Sequence, residues 1–239
     1  LTLAPSARSQ ELLNTRKEKL DELDRARRTL QHSMSRQQWE AIAAVKRIAA
    51  EKNLKGVFGS LIELFTVKPE FVAAVEAAAG NQLFQVVVDT DETAQVLVKE
   101  LQKQNAGRVT FMPLNRLTRK GDKEPNYPTN EDDAISMLSR LSFHPKVKPA
   151  MVSVFRKALI VRTLELGTRF AKSHELDCVT IGGDQVSRKG AMTGGYVEGR
   201  RSRIGAQADI LRLEAELADL DVEAAEVAKG LVAVDQKVT

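Results

Sequence analysis

The segment Gly183-Asp184-Gln185-Val186-Ser187-Arg188-Lys189-Gly190-Ala191-Met192-Thr193-Gly194-Gly195-Tyr196 holds the densest set of residues that could do chemistry. Its glycines fall as G-x6-G-x3-G-G, and Gly182 precedes them. Glycine admits positive φ and lets a second backbone approach where a Cβ would collide. Three arrangements need that freedom: a run of tight turns, an edge strand prepared for close pairing with a second subunit, or a backbone cradle for phosphate. Arg188 and Lys189 lie inside the segment, and Arg200, Arg201 and Arg203 follow it. Together they suit contact with DNA phosphates, although a solvated charge run has the same composition. Such contact would be weak, salt-dependent and sequence-independent, because no recognition-helix or zinc-finger pattern offers base readout. Arg116, Arg119, Lys120 and Lys123 form a second, lower-ranked basic group in a loop.

Other reactive side chains have simpler readings. The carboxylates Asp89, Asp91 and Glu92, and again Glu131, Asp132 and Asp133, fall at expected helix starts, where acidic groups complement the helix dipole. Ser173, His174 and Glu175 are neighbours at a helix end, which is not how a catalytic triad assembles. Cys178 sits in the apolar run Asp177 to Ile181 and reads as a small core residue. The sequence has neither G-x-x-x-x-G-K-[ST], G-x-G-x-x-G nor G-x-S-x-G, so the commonest nucleotide and hydrolase fingerprints are missing. One cysteine and three scattered histidines imply no disulfide framework and no structural zinc site, and no cofactor is expected.

These residues must be held by elements that the hydropathy pattern outlines. Of 239 residues, 43% are hydrophobic and 28% charged, with a net charge of +4, which fits one moderate core. No stretch approaches the ~20 apolar residues needed to span a bilayer, so no membrane partner is expected. The even apolar register of the last residues suggests an excised piece of a longer protein.

Charge divides the chain: residues 1–53 carry +4, 54–200 carry +3 and 201–239 carry −3. We expect a coiled-coil arm and connecting helix in 1–53, a globular domain in 54–200 and a second arm in 201–239. In the last, Ile210, Leu213, Leu217, Leu220, Ala224, Val227, Leu231 and Val234 keep a 3,4 spacing, an a/d seam. The first arm follows the same spacing through Leu13, Arg16, Leu20, Leu23, Arg27, Leu30 and Met34. Its arginines could pair with the acidic second arm. Ser35 with Gln38 reads as the capping box of the connecting helix.

The middle alternates strand and helix patterns, giving an α/β or α+β domain. Strands are expected in Val57–Val67, Leu83–Val88, Arg108–Met112, Leu159–Val161 and Asp177–Ile181. Helices are expected at Glu70–Ala79, Asp91–Gln104, Asp132–Leu141, Met151–Lys157 and Thr163–His174. No internal repeat is evident.

Three segments are specific together: Ala79-Gly80-Asn81-Gln82-Leu83-Phe84, Val109-Thr110-Phe111-Met112-Pro113-Leu114-Asn115, and Gly183 to Tyr196. Between two coiled-coil arms, they make the chain resemble the hinge domain of structural-maintenance-of-chromosomes (SMC) proteins, on the cohesin branch, over roughly Gly56 to Ile210. The resemblance implies two subdomains of mixed sheet and helix, flanked by an antiparallel intramolecular coiled coil. It implies a non-enzymatic module that pairs with the hinge of cohesin's first SMC subunit around a small basic channel. That pairing would close a DNA-encircling ring with other cohesin subunits, for sister chromatid cohesion on chromosomes in the nucleus. By the same resemblance Gly183, Gly190, Gly194 and Gly195 would lie at the dimer contact, and any ATPase would lie outside this chain. A coiled-coil insertion domain that binds protein but not DNA is the alternative.

Overall fold

The computed structural model describes residues 7–117, 125–128, 134–195 and 202–238. Along the chain run α1 (Ala7–His32), α2 (Arg36–Glu51), β1 (Val57–Ser60), β2 (Phe65–Val67), α3 (Val72–Ala79), β3 (Val86–Val88) and α4 (Asp91–Lys103). Then follow β4 (Phe111–Pro113), α5 (Leu114–Leu117), β5 (Ala134–Ser136), β6 (Leu141–Phe143), α6 (Lys148–Phe155) and β7 (Ala158–Val161). The chain continues with α7 (Leu164–His174), β8 (Asp177–Thr180), β9 (Gln185–Val186), β10 (Met192–Thr193) and α8 (Arg203–Val238). It divides into two compact units, 1–33 with 205–239 and 34–204.

The first unit pairs α1 with α8. Arg8 bonds Glu223, Arg16 bonds Asp221 at 2.7 Å, Lys19 bonds Glu216 at 3.0 Å and Arg27 bonds Glu214 at 2.7 Å. Numbers that rise along α1 fall along α8, so the helices are antiparallel. On α8, Ile210, Leu213 and Leu217 are buried as the seam requires. On α1, Leu23 and Leu30 are buried as expected, but elsewhere the register differs: Leu12 and Ala26 are buried, whereas Leu13 is 60% exposed and Leu20 is also exposed. Leu12 and Leu13 are adjacent, so spacing alone admits either register. Burying Leu12 brings Ala26 into the seam and frees Arg27 to reach Glu214, which avoids desolvating a guanidinium.

In the second unit, α2 starts as expected, with Ser35 Oγ accepting the Gln38 N–H at 3.2 Å. Ala41, Ile42, Ala44, Val45 and Ile48 form its buried face. The remaining elements form a repeat that the sequence did not disclose. The run β1, 3-10 turn, β2, Pro-led 3-10 turn, α3 (57–79) recurs as β5, 3-10 turn, β6, Pro-led 3-10 turn, α6 (134–155). Each half adds strand, helix and strand: β3, α4 and β4, then β7, α7 and β8. Pairing repeats too, with β1–β3 and β5–β7 antiparallel, and β3–β4 and β7–β8 parallel. Between the halves, β2 and β6 pair antiparallel with Phe65 opposite Phe143, Thr66 opposite Ser142 and Val67 opposite Leu141. Equivalent residues thus exchange places about Thr66 and Ser142, the mark of a pseudo-twofold axis. Ser60/Ser136, Pro69/Pro145 and Ala74/Ala150 are the few identities at matched positions of these runs; shape is kept by apolar pattern rather than residue type.

A helix expected at Asp132–Leu141 is replaced, over the described residues, by β5, a 3-10 turn and the start of β6. The run Ala134–Leu138 suits a buried strand or a helix equally, and the partner strand β7 decides it. The core includes Leu61, Leu83, Phe84, Leu97, Met137, Met151, Phe155, Leu159 and Leu176. Phe65 meets Phe155 edge-to-face at 5.7 Å across the halves.

Candidate dimerisation site

The glycine segment extends the sheet of the second half. Its strand order is β10-β9-β8-β7-β5, so β10 ends the sheet, and among the described residues no strand lies along its outer side. Each glycine has a local reason. Gly183 (φ +96°) turns the chain after β8, where its N–H donates to the Thr180 carbonyl at 2.9 Å. Gly190 (φ +91°) closes the β9–β10 turn by donating to the Ser187 carbonyl at 2.8 Å. A Cβ on Gly194 would stand 2.6 Å from Asp184 Oδ1. That same oxygen accepts the Gly195 N–H at 3.1 Å.

The hairpin is therefore tied at both ends by carboxylates. Asp184 holds its exit, and Asp177 Oδ1 accepts the Arg188 N–H at 2.9 Å and the Ser187 hydroxyl at 3.3 Å. The Gly195 amide that a phosphate cradle would offer already faces a carboxylate, so the tight-turn and pairing readings fit the geometry better. An apolar side chain accompanies the open edge: Met192, on β10, is 59% exposed. Unpaired edges with apolar side chains are templates for another strand. Opposite the hairpin, α3 walls an open cleft of about 680 Å³, bordered by Ala73, Ala77, Asn81, Thr193 and Gly195.

The basic residues separate. Lys189 is exposed, and Arg188 is partly drawn to Asp177, at 3.6 Å. Arg200 and Arg201 lie outside the described residues. Arg203 is only 7% exposed and reaches the Glu76 carbonyl at 3.0 Å, the Gly80 carbonyl at 3.2 Å and Glu76 Oε2 at 3.6 Å, with its guanidinium over Phe84. A guanidinium so committed is not presented to a phosphate, and the expectation that Arg203 contacts DNA is withdrawn. Its partner Glu76 was visible in the sequence only as a charge interrupting an apolar stretch.

The remaining candidates are structural. Asp91 is held down to about 2 by hydrogen bonds from Asn115 and then Arg116. Thr90, not a carboxylate, caps α4 by accepting the Thr93 N–H. Glu131, Asp132 and Asp133 lie outside the described residues. Burial, and then Asp177, push the Cys178 thiol up to about 12, so it is no nucleophile at neutral pH. His174 stacks edge-on against Phe170 at the end of α7. Among the described residues no group of three or more His, Cys, Asp or Glu could hold a metal ion, and no helix is long and apolar enough to cross a membrane.

A pseudo-twofold α/β unit with an open glycine-bounded edge, in a chain whose end helices pair antiparallel, is the build of a dimerising hinge. The comparisons give the family. The model "SMC proteins Flexible Hinge Domain" matches residues 54–171. Structural maintenance of chromosomes protein 3 of Arabidopsis thaliana is 41% identical over 198 residues, which cover 82% of this chain and 16% of that protein. The solved structure "Folded elbow of cohesin" superposes with a TM-score of 0.82 at 30% identity, covering 97% of this chain and 33% of that one. The Pyrococcus furiosus SMC hinge domain matches with a TM-score of 0.58 at 26% identity, covering 76% of this chain and 92% of that one. The chain belongs to the SMC hinge family and is closely related to the third SMC protein of eukaryotes. It spans less than a fifth of the length of those curated relatives.

Proposed function

We propose that the hinge at 54–200 pairs with the hinge of cohesin's first SMC subunit through the β9–β10 hairpin, with Gly183, Gly190, Gly194 and Gly195 shaping the contact. Pairing closes a DNA-encircling ring with the other cohesin subunits, for sister chromatid cohesion on chromosomes in the nucleus. The observation that carries this reading is the outer side of β10, along which no strand lies among the described residues, with Met192 exposed on that strand. A partner strand laid there would join the two subunits' sheets by main-chain hydrogen bonds, and neighbouring apolar side chains would add specificity. Mixing the chain with the partner hinge and measuring mass by light scattering tests it: a one-to-one complex is expected. Gly195→Glu is expected to abolish the complex while leaving the circular dichroism spectrum unchanged. An unchanged affinity in calorimetry for that folded variant would remove the glycines from the interface.

DNA contact is the weaker part of the proposal and rests on Arg188, Lys189, Arg200 and Arg201. The burial of Arg203 favours the second reading, a module that binds its protein partner without DNA. Gel shifts at low and moderate salt with single- and double-stranded DNA separate the two. Charge reversal at Lys189, Arg200 and Arg201 is expected to weaken retention without weakening pairing, whereas equal loss of both would make these residues structural.

A further inference from the structure

The C-terminal end of α3 is a meeting point for two segments, the β9–β10 hairpin and the start of α8. The last carbonyls of a helix have no partner within it and must find one elsewhere. Ala77 O accepts from Gln185 Nε2 at 3.0 Å, which ties β9 of the hairpin to α3. The carbonyls one residue earlier and three residues later, Glu76 and Gly80, accept from Arg203, in the first turn of α8. Glu76 answers in the opposite sense. Its Oε1 accepts the Ser202 hydroxyl at 2.6 Å and the Ile204 N–H at 2.8 Å, so it caps the start of α8 as Arg203 caps the end of α3. Both charges are buried, Glu76 at 4% exposure and Arg203 at 7%. A buried pair with all this extra bonding is poorly explained as stabilisation alone, because an apolar pair of like volume serves that end as well or better. In the repeat, α6 has Val152 where α3 has Glu76, so the carboxylate that holds the start of α8 has no equivalent there.

We propose that Glu76 and Arg203 are positioning residues that couple the root of α8 to the partner edge, with the end of α3 as the shared element. Adjacent peptide carbonyls, Glu76 and Ala77, carry the two tethers, so a shift of this turn to suit one alters the other. A hinge that senses engagement of its edge at the base of α8, and the reverse, is the consequence. The proposal rests on the hairpin being the pairing edge, but its test in the free chain does not require a partner.

Amide hydrogen exchange by NMR on the whole chain reads both ends. Arg203→Lys, and separately Glu76→Gln, are expected to speed exchange of the hairpin amides of Ser187 and Gly190, which donate within the hairpin to the Ala191 and Ser187 carbonyls. Gln185→Ala is expected to speed exchange of the Ile204 amide. Coupling between sites is commonly worth a factor of about 5 or more, and it must be reciprocal. Exchange in the β7–β8 core reports that each variant is folded. The proposal is overturned if folded Arg203→Lys and Glu76→Gln leave the hairpin amides at their original rates, or if Gln185→Ala leaves Ile204 unmoved. Failure of the chain to bind a second hinge would instead remove the pairing reading and leave this result standing.

Discussion

The two halves of the globular unit follow one plan and part company in three places. The first half ends at β4 and α5, whereas the second continues from β8 into the β9–β10 hairpin. Helix α3 carries Glu76 where α6 carries Val152, and α4 opens with Asp91 where α7 opens with Leu164. Both helices are capped alike, by Thr90 and Thr163. Where the halves agree, the residues make a core; where they differ, the chain acquires a longer sheet that ends at β10 and an anchorage for the start of α8.

Substitutions that move one half towards the other test that division. The largest effect is expected for Glu76→Val, which gives α3 the residue of α6 and leaves the Arg203 charge buried without its carboxylate. Breaking one partner of a buried pair costs about 3–5 kcal/mol, read as a drop in denaturant midpoint. The double variant Glu76→Val/Arg203→Met is expected to recover most of that loss; if it does not, the pair contributes more than mutual neutralisation. Gly194→Ala comes next, because a Cβ 2.6 Å from Asp184 Oδ1 must displace that side chain. Its cost is expected at about 0.5–1.5 kcal/mol, the net worth of an ordinary hydrogen bond, here that from the Gly195 N–H to Asp184. It should fall on the hairpin amides in exchange and spare the first half.

Thr90→Ala and Thr163→Ala are expected to cost about 1 kcal/mol each, as equivalent caps should; unequal losses in thermal unfolding would show that the halves are not equivalent there. The smallest effect is read from the acid limb of the stability profile. Asp91 has its pKa lowered to about 2 in the folded chain, so its contribution is present above the unfolded-state value and disappears as pH falls through the folded one. Asp91→Asn should therefore flatten the stability profile between about pH 4 and 2 and nowhere higher. Asp91 has no counterpart at Leu164, so the loss would belong to the first half.

What the sequence revealed follows from how local each signal is. The α8 seam at Ile210, Leu213 and Leu217, the Ser35 cap and the bracket from Pro69 to Gly80 are set by neighbours within a few positions, and they stand in the structure. The α1 register was open because Leu12 and Leu13 are adjacent and only α8 chooses between them. Strand β5 looked helical because its fate is decided by pairing with β7. The repeat was hidden because apolar residues of different shape occupy matched positions, as with Phe65 and Leu141 or Val75 and Met151. At the site, the glycine spacing located the hairpin, and Asp184 within it could have been read as its tie. Arg203 was misplaced for a different reason: its burial depends on Glu76, 127 residues earlier, and a run of arginines looks solvated until such a partner is seen.

The central claim is that the outer side of β10 is the surface on which the partner hinge docks. Met192→Glu tests it most directly, since Met192 is exposed on that strand and a carboxylate there need not disturb the fold. Titrated with the partner hinge in a calorimeter, the wild-type chain should bind with one-to-one stoichiometry, and folded Met192→Glu should lose at least about tenfold in affinity, about 1.4 kcal/mol. Equal affinity for the two chains would contradict the claim and place the contact elsewhere on the hinge.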